Sequence, residues 1–261
     1  MKDILEEIIS RKQVLLEEQK KIVGMEQLVE SAQENIPRLS MREALLSSPT
    51  GIIAEFKRKS PSKGWIKAQA LAEEIVPAYE RNGAAALSIL TDEPFFGGSL
   101  KDIRTARPLV DIPILRKDFI IDEYQLYQAK VVEANAVLLI AAALTPERCE
   151  ELAACAHELG LETLLEIHSE KELAYVGENI DMVGVNNRNL GTFHTDVENS
   201  FRLISQLPKD TVLVSESGIS SPDTMKRLHD AGFKGFLIGE NFMKTDDPGK
   251  ALKEFIAEFQ R

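Results

Sequence analysis

The sequence predicts an α/β fold: a closed (βα)8 barrel of the TIM-barrel type with an N-terminal helical extension. From Gly51 onward, short β-branched or leucine-rich runs alternate with amphipathic helical stretches, and eight such pairs can be counted. Strict alternation implies parallel strands with right-handed crossovers, in either an open doubly wound sheet or a closed barrel. The count of eight favours the barrel, and the length of 261 residues suits it, because such barrels use about 250 residues.

The predicted strands are short apolar runs, and continuous ones such as residues 137–140 are typical of strands covered on both faces. They span residues 51–57, 85–91, 112–117, 136–142, 162–167, 182–187, 211–216 and 235–239. Helices are predicted to start near residues 68, 100, 122, 145, 169, 198, 221 and 247. Two starts, Thr145-Pro146 and Ser221-Pro222, place a hydroxyl cap before a proline at the first helical position. No Gly-x-Gly-x-x-Gly turn follows the first strand, which argues against a dinucleotide-binding sheet.

About fifty residues precede the first strand, and the eight units do not need them. Ile4, Leu5, Ile8 and Ile9, followed by residues 14–16, indicate an amphipathic helix, and residues 41–47 indicate a second, short one. We therefore predict a helical extension, residues 1–50, packed on a barrel of residues 51–261 within a single domain. A lid across one barrel end and a plug at its bottom both fit this pattern.

Composition and charge exclude several classes of protein. With 44% hydrophobic and 28% charged residues the chain is typical of a globular protein, and its longest apolar run, residues 136–144, is too short to cross a bilayer. The acidic, amphipathic opening differs from a secretory signal, so we expect a cytoplasmic protein. The net charge of −11 argues against a nucleic-acid partner. Cys149 and Cys155 have neither disulfide nor metal-ligand spacing, and we expect them to be packing residues.

A lysine in an apolar strand is the first sign of chemistry. Residues 113–119 begin as an apolar strand, and alternation places Leu115, Lys117 and Phe119 on one face. Burial lowers the pKa of an ammonium group and favours a proton donor or a nucleophile, so Lys117 is a catalytic candidate. For one isolated strand, a snorkelling lysine with its head in water fits at least as well.

Polar residues recur at the ends of other predicted strands. In a barrel of this type the active site lies at the carboxyl ends of the strands. Besides Lys117, the residues at these ends are Glu55, Lys57, Glu166, Asn186, Arg188, Glu216 and Ser217. Each alone would be ordinary as a rim salt bridge, but five strands that deliver polar groups to one mouth indicate an active site.

The last two strands are followed by glycines, Gly218 and Gly239, which can bring backbone N–H groups close to an anion. Loops after the seventh and eighth strands form the recurrent phosphate site of this fold, although the glycines also fit ordinary turns. The segment 60–64, after the first strand, adds hydroxyls and a lysine that could close over the same group. The sequence therefore predicts a small anionic substrate that carries a phosphate.

Seven segments together resemble the indole-3-glycerol phosphate synthase family of tryptophan biosynthesis. They are, in this order and spacing, IAEFKRKSPSKG, LSILTDEPFFGGS, ILRKDFI, LLEIHSE, VGVNNRNL, SESGI and FLIGENFM. The resemblance covers essentially the whole chain, including the N-terminal helices. It implies the closure of 1-(2-carboxyphenylamino)-1-deoxyribulose 5-phosphate to indole-3-glycerol phosphate, with release of carbon dioxide and water and without cofactor or metal. An association with other tryptophan-pathway enzymes is an expectation that accompanies it.

The resemblance also implies roles for individual residues. Lys117 matches the general acid that protonates the ketone oxygen, and Glu166 matches an acid/base carboxylate. Glu55 and Lys57 match a pair that handles the substrate carboxylate and the later dehydration, and their division of labour stays open.

The remaining matches are contacts to the substrate. Those around the anthranilate part and the sugar hydroxyls are Asn186, Arg188, Glu216 and Ser217. Those at the phosphate are Ser60, Gly218, Gly239 and Glu240. Phe96 and Phe119 match residues that pack the aromatic ring, although plain core packing fits them nearly as well.

Two positions depart from the commonest family pattern, since Glu240 and Asn187 stand where serine is frequent. A carboxylate that points at a phosphate would repel it, so we expect the Glu240 side chain to face solvent while its backbone N–H serves the phosphate. Asn187 could alter contacts to the sugar.

Two other functions fit parts of the pattern. Lys117 or Lys57 could form a Schiff base with a keto-phosphate, as in barrel aldolases. A phosphate-ligand binder without catalysis on the same scaffold is a third hypothesis. The four histidines lack metal-ligand spacing, and His168 alone follows a strand close to the predicted mouth.

Overall fold

The computed structural model describes residues 4–32, 39–189, 191–208 and 210–261, and its centre is a closed barrel of eight parallel strands. Numbered in chain order, these strands are β1 (Ile52–Phe56), β4 (Ala86–Leu90), β5 (Ile114–Lys117), β6 (Ala136–Ile140), β7 (Glu162–Ile167), β8 (Met182–Asn186), β9 (Val212–Glu216) and β10 (Gly235–Ile238). Strand β1 pairs with β4 on one side and with β10 on the other, which closes the barrel. A short antiparallel hairpin of β2 (Lys59–Ser60) and β3 (Gly64–Trp65) follows β1. The predicted fold class is confirmed, with strand bounds correct to within two residues.

Helices surround the barrel and precede it. They are α1 (Ile4–Ile22), α2 (Met25–Ser31), α3 (Met41–Ser47), α4 (Ala72–Arg81), α5 (Glu93–Phe96), α6 (Leu100–Ala106), α7 (Glu123–Val131), α8 (Pro146–Glu158), α9 (Glu198–Leu203), α10 (Pro222–Ala231), α11 (Glu240–Met243) and α12 (Pro248–Phe259). Short 3₁₀ helices span Arg107–Leu109, Ala141–Ala143, Glu170–Tyr175 and Ile204–Gln206. Across the described ranges, no helix has the length and apolar character needed to cross a membrane.

Two predicted helices differ from the structure. The first begins at Ala72 rather than near residue 68, because the β2–β3 hairpin and a turn from Lys67 to Ala70 occupy the intervening chain. The helix expected from residue 169 is the 3₁₀ helix Glu170–Tyr175, which Glu172 caps at its N-terminus and which ends where Val176 becomes extended.

Side chains alternate along each barrel strand between the interior and the helix layer. In β1, Ile53 belongs to the interior cluster, whereas Ile52 and Ala54 pack in the cluster that includes the helices. Leu115 and Phe119 lie in the interior cluster, and Lys117 between them faces the same interior space. The prediction that these three residues share a face is therefore confirmed. The period of two also means that every second residue at a strand end points into the mouth.

The short helix α3 plugs the amino-terminal end of the barrel. Met41 and Leu45 are fully buried in the interior cluster together with Val212 at the start of β9. The carboxylate of Glu162, the first residue of β7, accepts hydrogen bonds from the backbone N–H groups of Met41 (2.7 Å) and Arg42 (3.0 Å). Two N–H groups of the first turn, which the helix itself cannot satisfy, are thereby paired with a barrel strand.

The long helix α1 covers the opposite end. Leu5 and Ile8 join the interior cluster, yet both also line a cavity at the carboxyl ends of the strands. The two interpretations of the extension are thus realised by different helices, since α1 lies across the mouth and α3 plugs the bottom. The division into residues 1–50 and residues 51–261 stays a prediction.

We expect Glu162→Ala to lower the free energy of unfolding by about 1–3 kcal/mol, because it leaves the α3 N–H groups without their acceptor. Urea denaturation measures this difference, with Glu158→Ala, an exposed glutamate on α8, as the control. Equal unfolding midpoints for the two variants would contradict this account of the plug.

Candidate active site

A cavity of about 550 Å³ opens at the carboxyl ends of the barrel strands. This volume falls in the range of about 300–1,000 Å³ that is usual for small-molecule sites. The predicted site residues that line it are Glu55, Lys57, Phe96, Lys117, Phe119, Glu166, Asn186, Arg188, Glu216, Ser217, Gly218, Gly239 and Glu240. Ser60 does not line it, because this buried side chain lies behind Ser62, with the two hydroxyl oxygens 3.5 Å apart. The structure therefore brings all but one of these residues together, and their roles stay predictions.

Lys117 lies at the centre of a group of carboxylates. Its Nζ is 3.1 Å from Oε2 of Glu166 and 3.2 Å from Oε2 of Glu216, and the side chain is 15% exposed. Burial alone would lower the pKa of Lys117, but the negative charges of Glu216, Glu166 and Glu55 outweigh burial and hold the pKa well above its ordinary value. The sequence left the balance of burial against neighbouring charges open, and the structure places it on the side of the protonated ammonium group.

Glu166 lies between two cations. Lys117 contacts Oε2, and Nε2 of His168 is 3.3 Å from Oε1 in an ion-pair contact that lacks hydrogen-bond geometry. Burial would raise the pKa of Glu166, but these two positive charges hold it well below the usual range. Glu166 is therefore ionised and able to accept a proton.

His168 is held behind Glu166 by a second carboxylate. Its backbone N–H donates to Oε2 of Glu172, and its Nδ1 lies 3.7 Å from the same oxygen. Burial would lower the pKa of His168, but the two carboxylates raise it to about 10. His168 therefore carries a positive charge at neutral pH.

Glu216 has the opposite character to Glu166. Its pKa is raised to about 7, because burial, together with the smaller contributions of Glu166 and Glu55, outweighs the lowering by Lys117. Its Oε2 contacts Lys117, whereas the buried Oε1 has no hydrogen-bond partner among the residues that the structure describes. Two carboxylates thus flank one ammonium group with their pKa values displaced in opposite directions, which is how acid and base roles are separated in one site.

Two glycines make room for the carboxylates. A Cβ at Gly184 in β8 would overlap Oε1 of Glu216, and a Cβ at Gly239 would overlap the side chain of Glu55. Both glycines lie on the interior face beside a strand that carries a site residue. Any larger residue there would displace the neighbouring carboxylate.

Glu55 and Lys57 form a pair on one face of the first strand. Oε1 of Glu55 accepts a hydrogen bond from Nζ of Lys57 at 2.6 Å, and Glu55 is almost completely buried. The charge of Glu55 also contributes to the high pKa of Lys117. The pair is therefore part of the same electrostatic group as Lys117.

The other side of the cavity is cationic, and Glu240 lies within it. Its carboxylate is 3.6 Å from Nη2 of Arg188 and 4.0 Å from Nζ of Lys63, and the side chain is 33% exposed. The expectation that Glu240 faces solvent is wrong, because these two cations hold the carboxylate at the cavity wall. The loop that follows β9 adds Ser217 (φ 66°) and Gly218 (φ 78°), both in the left-handed region.

Three further positions named from the sequence are the predicted contacts Phe96 and Phe119 and the unusual Asn187. The two phenylalanine rings lie 6.1 Å apart between centroids and form one apolar wall. Asn187 is buried and donates to Ser215 Oγ and to the Ser217 carbonyl, both at 3.1 Å. It therefore supports the loop after β9 from behind, and its influence on contacts to a sugar stays a prediction.

Several cavity residues were missed by sequence reasoning. Asp92 and Asp118 line the cavity, and each lies just beyond a strand end, so a wider application of the strand-end rule would have found them. Leu5 and Ile8 belong to the amphipathic face of α1, but periodicity does not say which surface such a face covers. No group of three or more His, Cys, Asp or Glu side chains suited to hold a metal ion occurs within residues 4–32, 39–189, 191–208 and 210–261.

The closed barrel and the acid–base groups at its mouth define a (βα)8-barrel enzyme that acts on a small-molecule substrate. A sequence model of the family described as indole-3-glycerol phosphate synthase matches residues 5–255. The chain belongs to this family.

Individual relatives agree with this assignment. The indole-3-glycerol phosphate synthase of Bacteroides thetaiotaomicron is 68% identical over 100% of both chains. That of Neisseria meningitidis serogroup B is 46% identical over 95% of this chain and 96% of the relative. Among solved structures, tryptophan synthase subunit alpha from Legionella pneumophila str. Paris superposes with a TM-score of 0.61 over 84% of this chain and 96% of that one. At 13% identity the likeness shows the fold alone.

The unusual pKa of Glu216 predicts a specific pH dependence of stability. A carboxyl group whose pKa is higher in the folded than in the unfolded protein binds its proton more tightly when folded. The contribution of this group to the free energy of unfolding is fully present below the ordinary pKa of 4.5. It is lost as the pH rises to about 7. The loss is on the order of 3 kcal/mol.

We therefore expect Glu216→Gln to remove most of the decrease in unfolding free energy between pH 5 and pH 7, as measured by urea denaturation. Glu178→Gln, an exposed glutamate, serves as the control and should leave the wild-type pH dependence unchanged. A decrease of the same size in Glu216→Gln and in the wild type would refute the assigned titration.

Proposed function

We propose that this protein converts 1-(2-carboxyphenylamino)-1-deoxyribulose 5-phosphate into indole-3-glycerol phosphate, carbon dioxide and water, as a carboxy-lyase of tryptophan biosynthesis. The observation that carries the proposal is the ammonium group of Lys117 at the meeting point of carboxylates from three strands, inside a cavity with a cationic wall. Family membership supports the same reaction.

The chemistry requires proton donors and acceptors within one enclosed space. The ring carbon that bears the carboxylate forms a bond with the ketone carbon, and the ketone oxygen takes a proton. The carboxylate then leaves as carbon dioxide and returns its electron pair to the ring. The new hydroxyl takes a second proton and leaves as water, while the carbon next to nitrogen loses one proton. One proton is consumed overall, which balances the negative charge that departs with the carboxylate.

The site residues fit these transfers. Lys117 is protonated at rest and is the proposed donor to the ketone oxygen, a role worth about 10²–10⁴ in rate. Glu166 is ionised at rest and is the proposed base. Glu55 and Lys57, already paired at 2.6 Å, are the proposed partners of the substrate carboxylate and of the dehydration step, with either member able to carry the proton.

The rest of the cavity fits the rest of the substrate. Asn186, Glu216 and Ser217 are proposed contacts of the anthranilate part and the sugar hydroxyls, and Phe96 and Phe119 are proposed to pack the aromatic ring. The proposed phosphate site lies at the cationic wall, where Arg188 and Lys63 converge near Gly218, Gly239 and Glu240. Ser60 is proposed to act there only through Ser62.

The Schiff-base alternative is disfavoured by the charge on both lysines. A nucleophilic amine must be deprotonated, whereas the carboxylates around Lys117 hold its pKa above the ordinary value, and Lys57 is paired with Glu55. Incubation of the purified protein with the substrate should produce indole fluorescence, and borohydride treatment should trap no covalent adduct. Substrate binding without fluorescence would instead indicate a binding protein.

The cellular setting is part of the same proposal. We place the enzyme in the cytoplasm and infer an association with other tryptophan-pathway enzymes. The proposed organisation is an extension, residues 1–50, that closes both ends of the barrel formed by residues 51–261. A pull-down with the tagged full-length chain tests the association.

Lys117→Ala should lower kcat by about 10²–10⁴ while KM changes little, because the proposed general acid contributes mainly in the transition state. Steady-state assays of indole fluorescence measure both parameters. Lys101→Ala, an exposed lysine on α6, should behave as the wild type. Unchanged turnover in Lys117→Ala would exclude the assigned role.

Glu240→Ser should lower KM for the phosphate-bearing substrate on the order of fivefold, since it removes a negative charge from the proposed phosphate site. Glu240→Gln removes the same charge at nearly constant size and should show a similar change. A higher KM in both variants would mean that Glu240 assists binding rather than opposing it.

A further inference from the structure

Lys12 is a buried charge in the N-terminal helix. It lies on α1 with Leu5, Ile8 and Leu16 on the buried face, and it is 7% exposed. A lysine in this position destabilises the folded protein unless carboxylates pair with its charge, because burial removes the hydration of the ammonium group. The spacing of three and four residues places Lys12 one turn beyond Ile8 on the same side of the helix.

Two aspartates from the barrel compensate the charge. Nζ of Lys12 is 2.8 Å from Oδ2 of Asp92 and 2.7 Å from Oδ1 of Asp118, and both carboxylates are only 2% exposed. Burial would lower the pKa of Lys12, but Asp118 and Asp92 raise it above the ordinary value. The three groups therefore form a buried ion-pair bridge between α1 and the barrel.

Both aspartates belong to the rim of the cavity. Asp92 follows β4 and caps α5 by accepting a hydrogen bond from the Phe95 N–H at 2.9 Å. Asp118 directly follows Lys117, and its second oxygen accepts hydrogen bonds from Arg116 (3.0 Å) and Thr91 (2.7 Å). The ammonium group thus joins the ends of two neighbouring strands.

The bridge lies close to Lys117 in the chain and in space. The carbonyl oxygen of Lys117 accepts a hydrogen bond from the Thr91 N–H at 3.0 Å, so the backbone at the end of β5 is held by the segment that carries Asp92. Leu5 and Ile8, on the same face of α1 as Lys12, line the cavity. The ammonium group of Lys12 therefore contacts the residue next to Lys117 and also anchors the helix that covers the mouth.

We propose that Lys12 is a positioning residue: by bridging Asp92 and Asp118 it fixes the backbone that presents Lys117 and holds Leu5 and Ile8 over the substrate cavity. The effect on turnover rests on the proposed function, whereas the anchoring of α1 does not.

The chain offers a matched control on the same helix. Nζ of Lys20 is 2.8 Å from Oδ2 of Asp122, another aspartate beyond β5, but this pair is about one-third exposed and lies outside the cavity lining. Lys12→Met and Lys20→Met remove the same charge from the same helix, and only the first removes the bridge to the cavity rim.

Steady-state kinetics with the carboxyphenylamino deoxyribulose phosphate test the effect on the site. We expect Lys12→Met to lower kcat by about tenfold or more, because small displacements of a catalytic group are costly. KM should rise by about threefold as Leu5 and Ile8 leave the cavity, whereas partial unfolding would lower the apparent kcat without changing KM. Lys20→Met should match the wild type. Wild-type kcat and KM in a folded Lys12→Met protein would overturn the proposal.

Hydrogen exchange tests the anchoring without reference to turnover. Lys12→Met should accelerate amide exchange in residues 4–11 and 117–119, whereas Lys20→Met should leave residues 117–119 unchanged. If the wild type showed no turnover with this substrate, the proposed function would fail while this comparison would still decide the role of Lys12. Should Lys12→Met not fold, Asp92→Asn removes one partner and leaves Asp118 paired with Arg116. Unchanged exchange at residues 4–11 in Asp92→Asn would then overturn the proposal.

Discussion

Compensation of buried charge is the constraint on which the mouth of this barrel depends. Lys117 lies on the interior face of β5, where an unpaired ammonium group would cost several kcal/mol. Its charge is matched by Glu166 from β7, Glu216 from β9 and Glu55 from β1. Because these carboxylates come from separate strands, they meet only when the barrel is closed. The same closure that forms the fold therefore assembles the acid–base group.

Charged side chains lie on both faces of strand β5. Lys117 faces the cavity, whereas Arg116 is buried on the other side of the strand. Asp118, at the cavity rim, links Arg116 to Lys12. The ion pairs of Lys117 and those of Lys12 thus meet at the carboxyl end of one strand. This arrangement connects the N-terminal helix to the reacting groups through the ion pairs of Lys12 and through the backbone of β5, in addition to apolar packing.

The sequence predicts much of the fold because strand and helix periodicities are local properties. The alternation of Leu115, Lys117 and Phe119, and the polar strand ends such as Glu166 and Glu216, identify most of the cavity lining. The pKa direction of Lys117 was not predictable, because it is a balance of burial against three charges at distances that only the structure provides. The same holds for the placement of Glu240, which depends on where Arg188 and Lys63 lie.

The role of the N-terminal extension illustrates a second limit. Periodicity identified α1 and α3 but neither α2 nor the surfaces that the helices cover, since an apolar face does not specify its partner. Lys12 was overlooked for a related reason: it interrupts the apolar face of α1, and such an interruption is interpreted as a solvated residue until Asp92 and Asp118 are seen beneath it. A cationic residue within an otherwise apolar face of a helix is the sequence pattern from which Lys12 could have been predicted.

Gly184 and Gly239 have a consequence for redesign of this barrel. The volume occupied by the Glu216 and Glu55 carboxylates exists because the adjacent strands present no side chain there. A variant that replaces either glutamate with a small residue, in order to admit a different ligand, would leave a void against the bare backbone of the neighbouring strand. Alanine at the facing glycine would place a methyl group in part of that void, so the glycine can be enlarged only when its glutamate is shortened.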